Sequence, residues 1–154
     1  MEKTRFGLYG YGKVAQLHAR ALATCENAQL VSVCGRDIRK ASAFAVQWGI
    51  QARDSAQEMA DRDKAEAVIV TTPHPLHAQS SLECLRAGLH VLVEKPMALR
   101  VADCDAMIAA SEATGHFCEV GFQNQSKNTV RGLKRHICDG KLGDITRISV
   151  MSEW

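Results

Sequence analysis

The sequence predicts an α/β protein built on a parallel β-sheet with helices on both faces. Short runs rich in Val, Ile and other β-forming residues alternate with amphipathic stretches of helical periodicity along most of the chain. Alternating strands and helices favour a parallel sheet that is covered on both sides. A glycine-rich turn directly after the first strand is a second sign of this architecture.

Five strands and five helices are predicted in alternation. Each predicted strand is short and rich in β-formers, and the strands cover residues 4–9, 28–34, 66–71, 89–93 and 116–121. The helices cover residues 13–24, 38–48, 76–87, 101–114 and, after a polar stretch, 127–139. The predicted buried face of the first helix consists of Val14, Leu17, Ala21 and Leu22.

Length and charge exclude several classes of protein. The 154 residues fit one domain with its own hydrophobic core. The formal net charge of +2 is too small to favour nucleic acid or an anionic membrane as a partner. The apolar runs fall far short of the ~20 residues that span a bilayer, and the N-terminus lacks the apolar core of a signal peptide. We therefore expect a cytoplasmic protein without membrane or nucleic-acid partners.

The spacing of cysteine and histidine gives no sign of a metal site. The six cysteines include no CxxC pair, so we expect free thiols that pack as small apolar residues. His74 and His77 form an HxxH pair, but no acidic or sulfur side chain stands nearby in sequence to complete a ligand set. We expect no metal.

Residues 10–15 read GYGKVA, a GxGxxA motif between the first strand and the first helix. Gly10 permits a tight turn, Gly12 lets the backbone approach a pyrophosphate, and Ala15 allows the helix to pack closely on the strand. Free N–H groups at the helix start would face the phosphate charge. In this context the motif indicates a dinucleotide site in a Rossmann-type, doubly wound sheet; the alternative is a tight turn that binds no ligand.

The end of the second strand bears on the choice of cofactor. NAD enzymes place Asp or Glu about 20 residues beyond the fingerprint, but Gly35 occupies that position here. Arg36, beside it, has a planar guanidinium suited to a 2′-phosphate and to stacking on adenine. Asp37 either supplies the missing carboxylate or caps the helix that begins at Ile38. We favour NADP over NAD, with Asp37 as the cap.

A polar turn follows the strand predicted at residues 66–71. Ligands of open α/β sheets lie beyond the carboxyl ends of the strands, near the point where strand order reverses. Thr71 and Thr72 offer hydroxyls and main-chain groups to a nicotinamide ribose, and Pro73 and His77 follow closely. The alternative is that the turn only starts the next helix, which applies above all to Pro73 and His77.

Two opposite charges, Glu94 and Lys95, end the strand predicted at residues 89–93, and Pro96 follows them. At the carboxyl end of that strand, Lys95 would face the cleft in which a nicotinamide lies. Its ammonium group could orient a substrate hydroxyl and help to move the proton as hydride leaves for the cofactor. The alternative is an ordinary surface pair, which contributes little energy.

Four segments together resemble the N-terminal half of the Gfo/Idh/MocA oxidoreductases, named for glucose–fructose oxidoreductase and inositol dehydrogenase. They are the GxGxxA motif, TTPHPLH, VLVEKPMAL and the tail that begins GFQNQSKN. The resemblance implies an NAD(P)-dependent enzyme acting on a sugar, a polyol or a related hydroxy or carbonyl compound. It also implies Lys95 as the catalytic residue and a cis bond before Pro96. With the motifs above, it implies these cofactor-binding residues: Gly10, Tyr11, Gly12, Lys13, Val14, Arg36, Thr71, Thr72, Pro73, His77, Glu94, Lys95 and Gln123.

The tail departs from the family's pattern. Gln125 stands where relatives often have arginine and Asn128 where they have proline, so whatever that arginine contributes on the substrate side is missing. Family members continue into a C-terminal α/β substrate domain, and the resemblance implies that this chain stops at Trp154 within its first strand. We therefore expect a dinucleotide-binding domain over residues 1–121, a linking helix and strand over residues 122–154, and no turnover by this chain alone.

The expected last strand also bears on partners. A strand with Ile145, Ile148 and Val150 but no sheet to join would expose an edge and an apolar face, so we expect a homo-oligomer. The expected small-molecule partner is a sugar-like or polyol-like substrate. The alternative function is a non-catalytic NAD(P)-binding or redox-sensing module that uses the same pocket.

Overall fold

The computed structural model describes residues 2–151, and strands alternate with helices in it. The strands are β1 (Thr4–Tyr9), β2 (Ala28–Cys34), β3 (Gln51–Arg53), β4 (Ala67–Val70), β5 (His90–Val93) and β6 (Cys118–Val120). The helices are α1 (Lys13–Ala23), α2 (Ile38–Trp48), α3 (Ala56–Asp63), α4 (His77–Arg86), α5 (Val101–Thr114) and α6 (Asn128–Cys138). Short 3₁₀ turns lie at His74–Leu76 and Gln123–Ser126.

All six strands pair in parallel, in the spatial order β3-β2-β1-β4-β5-β6. The chain runs outward from β1 to β3 on one side and then crosses back to β4 on the other side of β1. The strand order therefore reverses between β1 and β4, where open α/β sheets bind their ligands. The Rossmann-type, doubly wound fold expected from the sequence is confirmed.

Two hydrophobic clusters cover the two faces of the sheet, and β4 belongs to both because its side chains alternate. Val68 and Val70 belong to one cluster, together with Leu85 of α4. Ile69 belongs to the other cluster, together with Phe44 of α2. Every residue of β4 is buried, as expected of a strand with helices on both sides.

The sequence did not indicate β3 and α3. β3 has only three residues and is defined by its pairing with β2, in which Ser32 lies opposite Gln51. A strand this short carries no readable alternation. α3 did have a local signal, because Ser55 caps it by accepting a hydrogen bond from the Glu58 N–H at 3.2 Å, as in a capping box.

The predicted buried face of α1 was wrong in part. Val14 and Leu17 are 41% and 63% exposed, whereas Ala15, Ala19 and Leu22 are buried. Small side chains let the helix approach the sheet closely, so the alanines face inward. A periodicity count that weights only large apolar residues selects the wrong side of such a helix.

The chain divides after Gly121 into two compact units. The second unit contains the 3₁₀ turn Gln123–Ser126 and α6, which confirms the helix predicted at residues 127–139. The strand predicted near Ile145 is wrong for residues 145–151, which pair with no strand of the described chain. A strand needs a neighbour to take up its N–H and C=O groups; residues 152–154 lie outside the described part.

Within residues 2–151, no helix has both the length and the apolar character needed to cross a bilayer.

Candidate functional site

A cleft of about 1030 Å³ opens beyond the carboxyl ends of β1, β2 and β4. This is the place where the strand order reverses, and the volume is of the size that cofactor sites have. Most of the cofactor-binding residues expected from the sequence line the cleft. They are Gly10, Tyr11, Gly12, Lys13, Val14, Arg36, Thr71, Thr72 and Pro73.

Gly10 makes the tight turn that leaves β1. Its φ is +118°, and a Cβ at this position would lie 2.6 Å from Thr71 Oγ1 and 3.0 Å from the Thr71 carbonyl carbon. Its N–H donates to the Cys34 carbonyl at 2.9 Å. The turn is therefore held against the ends of β2 and β4, and only glycine fits there.

Gly12 is the residue before the first turn of α1, and it leaves open space above the backbone. A Cβ at Gly12 would meet no heavy atom within 4 Å. The cap uses no side chain, and the first turn of α1 contains no acidic residue. The N–H groups at this helix start thus face an open, electropositive region that fits a pyrophosphate.

Tyr11 explains why position 35 has no side chain. A Cβ at Gly35 would lie 2.6 Å from Cε1 of the Tyr11 ring. The Tyr11 hydroxyl accepts a hydrogen bond from the Asp37 N–H at 3.2 Å. The carboxylate that NAD enzymes place at this point would therefore collide with the ring.

Asp37 caps α2, which confirms one of the two interpretations of this residue. Its Oδ1 accepts hydrogen bonds from the N–H groups of Arg39 and Lys40 at 3.0 and 3.4 Å. Arg36 is exposed and lines the cleft, and Lys40 lines it as well. Two cationic side chains thus stand at the end of β2, with the neighbouring carboxylate engaged in the cap.

The turn after β4 forms the opposite wall. The N–H and hydroxyl of Thr71 lie 2.8 and 3.3 Å from the Tyr9 carbonyl, which ties this wall to β1. The Thr72 and Ser80 hydroxyls are 3.4 Å apart. Pro73 is exposed at the rim.

His77 does not line the cleft, and its contact with the cofactor stays a prediction. The residue is only 1% exposed. Its Nδ1 lies 2.7 Å from the Pro96 carbonyl oxygen and its Nε2 lies 2.9 Å from the Thr72 carbonyl oxygen. As the first residue of α4, it turns into the protein and is held there by backbone acceptors.

Glu94 and Lys95 also lie outside the lining of this cleft. Glu94 Oε1 is 2.9 Å from His18 Nε2 of α1. Lys95 is exposed, and the bond between Lys95 and Pro96 is cis, as the resemblance implied. Gln123 belongs to the second unit, where it begins the 3₁₀ turn.

Sequence reasoning missed several residues that line the cleft. They are Tyr9, Gly35, Ile38, Lys40, Asp54, His74, Pro75, Leu76, Gln79 and Ser80. Lys40 had a signal, because it lies in the first turn of α2, close to Arg36 in sequence. Tyr9 had no signal in the sequence. Burial and a hydrogen bond from its hydroxyl to Glu83 Oε2 at 2.6 Å raise the pKa of Tyr9, so the hydroxyl stays a neutral donor.

Among residues 2–151, no three His, Cys, Asp or Glu side chains form a group that could hold a metal ion.

Comparison with known proteins finds one matching family and several relatives. Residues 4–122 match the GFO_IDH_MocA family, described as an oxidoreductase family with an NAD-binding Rossmann fold. Two similar curated proteins are glucose-6-phosphate 3-dehydrogenase of Bacillus subtilis and inositol 2-dehydrogenase of Rhizobium meliloti. The first is 32% identical over 95% of this chain, and the match covers 41% of its own length. The second is 31% identical over 96% of this chain, and the match covers 44% of its own length.

A solved structure agrees in fold and sequence. The WlbA dehydrogenase of Chromobacterium violaceum, in complex with NADH and UDP-GlcNAcA, superposes with a TM-score of 0.85 and 35% identity. The match covers 93% of this chain and 42% of that protein. The chain thus spans about two fifths of the length of the relatives it matches.

Proposed function

Because the chain belongs to the GFO_IDH_MocA oxidoreductase family, we propose that it is the cofactor-binding part of an NAD(P)-dependent oxidoreductase. The enzyme transfers hydride between the nicotinamide ring and a sugar, a polyol or a related hydroxy or carbonyl compound. The observation that carries the proposal is the cleft at the strand reversal, in which the Gly10–Val14 turn, Arg36 and the Thr71–Pro73 turn meet.

Each wall of the cleft has a separate task in the proposal. N–H groups at the start of α1 bind the pyrophosphate, because Gly12 leaves its backbone accessible. Thr71 and Thr72 offer polar groups to the nicotinamide ribose. The bound cofactor supplies the hydride acceptor or donor, and Lys95 orients the reacting oxygen and holds or releases its proton.

We propose NADP as the preferred cofactor on the basis of the end of β2. The Tyr11 ring leaves no room for a ribose-binding carboxylate at position 35. Arg36 and Lys40 line the cleft and can bind a 2′-phosphate. Asp54 is the acidic residue in the lining, and it follows β3 rather than β2.

The relatives named above extend well beyond the match, so substrate and assembly are proposals about the whole protein. Sugar and polyol substrates are supported by the names of the two curated relatives. We propose that residues 122–154 lead into a substrate-binding part and that the whole protein is a homo-oligomer.

Cofactor titration tests the binding proposal. NADPH and NADH are titrated by nicotinamide fluorescence into the native chain and into Arg36→Ala. Loss of a charged hydrogen bond to the 2′-phosphate should weaken NADPH about 10- to 100-fold and NADH by less than about threefold. Arg39→Ala is the matched control, because Arg39 is exposed in the first turn of α2, close to Arg36 in sequence, and lies outside the cleft lining.

Three results would count against these proposals. An equal loss for both cofactors would mean that Arg36 only stacks on adenine, and binding of neither cofactor would overturn the proposed function. Turnover is followed in the whole protein, with the proposed substrate-binding part present, as NADPH formation with myo-inositol and glucose 6-phosphate as probes. Turnover that survives Lys95→Met unchanged would remove Lys95 from the catalytic role.

A further inference from the structure

Glu94, Lys95 and Pro96, here called the lysine segment, lie just beyond β5. The segment continues the sheet for one residue, because the Glu94 N–H donates to the Val70 carbonyl at 3.0 Å. Beyond that bond the sheet no longer fixes the backbone. Two histidines from different helices bond to this segment, one on each side of Lys95.

His18 bonds the first side. It lies in α1, the helix that begins at the phosphate-binding turn, and its Nε2 is 2.9 Å from Glu94 Oε1. The other carboxylate oxygen of Glu94 accepts the Lys95 N–H at 3.2 Å. The side chains of His18 and Glu94 are 23% and 20% exposed. The carboxylate of Glu94 therefore connects α1 to the backbone amide of Lys95 itself.

His77 bonds the second side. Its ring stands between the Pro96 carbonyl oxygen, at 2.7 Å from Nδ1, and the Thr72 carbonyl oxygen, at 2.9 Å from Nε2. Carbonyl oxygens only accept hydrogen bonds, so a neutral ring can bond one of them and an imidazolium can bond both. Both carbonyl oxygens lie within hydrogen-bond distance of the ring, so His77 stands between the lysine segment and the turn that forms one wall of the cleft.

The Lys95 side chain itself is left free by these contacts. Lys95 is exposed, and its ammonium group makes no hydrogen bond or ion pair with any described residue. A long, flexible side chain can be placed accurately only if the backbone at its root is fixed, since productive geometry tolerates errors of about half an ångström.

We propose that His18 and His77 are positioning residues that fix the backbone on either side of Lys95, through Glu94 and the Pro96 carbonyl. This inference rests on the proposed role of Lys95 in hydride transfer. It also ties the lysine to both walls of the cofactor cleft, since one histidine lies on α1 and the other bonds to Thr72. If the two histidines only stabilised the fold, their variants would lower the melting temperature without a selective loss of order at the Lys95 amide.

His18 gives the first pair of variants. Glutamine at position 18 keeps an N–H donor for Glu94, whereas leucine removes it. We expect His18→Leu to lower the backbone order parameter of the Lys95 amide from the rigid range near 0.85 to below about 0.6 in ¹⁵N relaxation. His18→Gln should restore it. Arg20→Leu is the matched control, because Arg20 is exposed on the same helix.

His77 gives a second pair in which each variant keeps one of the two bonds. In His77→Asn, the amide nitrogen takes the place of Nδ1 and can bond the Pro96 carbonyl. In His77→Gln, the amide nitrogen takes the place of Nε2 and can bond the Thr72 carbonyl. Both remove one bond from a buried site, so their melting temperatures should fall by similar amounts. Only His77→Gln should loosen the Lys95 amide.

The outcomes separate this inference from the proposed function. Unchanged order at Lys95 in both His18→Leu and His77→Gln would overturn the inference. Equal loosening by His77→Asn and His77→Gln would reduce His77 to a structural role. If either His77 variant fails to fold, the His18 pair decides. The relaxation measurement needs neither cofactor nor turnover, so failure of NADPH binding would refute the proposed function and leave the positioning result standing.

Discussion

Gly10 and Gly12, in the turn between β1 and α1, should respond differently to substitution by alanine. We expect Gly10→Ala to lower stability and Gly12→Ala to lower cofactor affinity. At Gly10 the φ of +118° disfavours any L-residue, and the new Cβ would lie 2.6 Å from Thr71 Oγ1 and 3.0 Å from Thr71 backbone atoms. The turn cannot easily move aside. The Gly10 N–H is bonded to the Cys34 carbonyl at 2.9 Å, and the Thr71 N–H is bonded to the Tyr9 carbonyl at 2.8 Å.

The expected magnitude for Gly10→Ala follows from these two costs. A non-glycine residue in such a backbone conformation costs about 1–3 kcal/mol, and crowding against a packed neighbour costs about 1–3 kcal/mol more. We therefore expect the free energy of unfolding to fall by roughly 2–6 kcal/mol, a large part of the ~5–15 kcal/mol that a domain possesses. Urea denaturation followed by circular dichroism measures this change.

Gly12→Ala is the matched comparison. Gly12 has an ordinary φ of −80°, and a Cβ there would meet nothing within 4 Å. Stability should fall by less than about 1 kcal/mol. The added methyl group would stand where the backbone approaches the pyrophosphate, so NADPH affinity should fall at least about tenfold, or ~1.4 kcal/mol.

A Gly10→Ala variant as stable as Gly12→Ala would show that the contacts with Thr71 carry no cost. Unchanged NADPH affinity in Gly12→Ala would refute the assignment of this turn to the pyrophosphate.

Two further predictions concern groups inside the fold. The Arg53 Nε donates to the buried Asp63 Oδ2 at 2.9 Å. Asp63→Asn removes this buried counter-charge, so the free energy of unfolding should fall by about 2–4 kcal/mol in urea denaturation. Burial raises the pKa of the Cys34 and Cys84 thiols above the usual value of 9.0. The folded state holds these protons more tightly than the unfolded state, so stability should be intact below about pH 8.5. At higher pH, the free energy of unfolding should fall by up to ~1.4 kcal/mol per pH unit for each thiol. Urea denaturation midpoints measured at several pH values follow this change. A midpoint that stays constant up to about pH 10.5 would contradict the raised pKa values.

The sequence predicted the elements that are long or fully buried. β1 and β2 lie where their apolar runs indicated, and the alternation of strands and helices predicted the parallel sheet. β3 was missed because pairing with β2, rather than any pattern of its own three residues, defines it. The inward face of α1 was misjudged because Ala15 and Ala19 are small, and a close approach to the sheet cannot be seen in a helical periodicity.

The candidate site was predictable at the residues that come within two positions of the ends of β1, β2 and β4. Gly10, Arg36 and Thr71 were found in this way, because the carboxyl ends of parallel strands meet at one edge of the sheet. The burial of His77 could not be predicted, because its ring lies against the Pro96 carbonyl, which belongs to another strand end. Contacts of this kind arise from the tertiary fold and have no signature in the local sequence.

Tyr11 links the two features that bear on cofactor choice. Its ring occupies the space above Gly35 and its hydroxyl accepts the Asp37 N–H, so one side chain fixes the phosphate-binding turn against the end of β2. A carboxylate introduced at position 35 would have to displace that ring before it could reach a ribose. The exposed Arg36 needs no such rearrangement to meet a 2′-phosphate. The missing acid is therefore a packing requirement of this chain, and a carboxylate at position 35 would require position 11 to change as well.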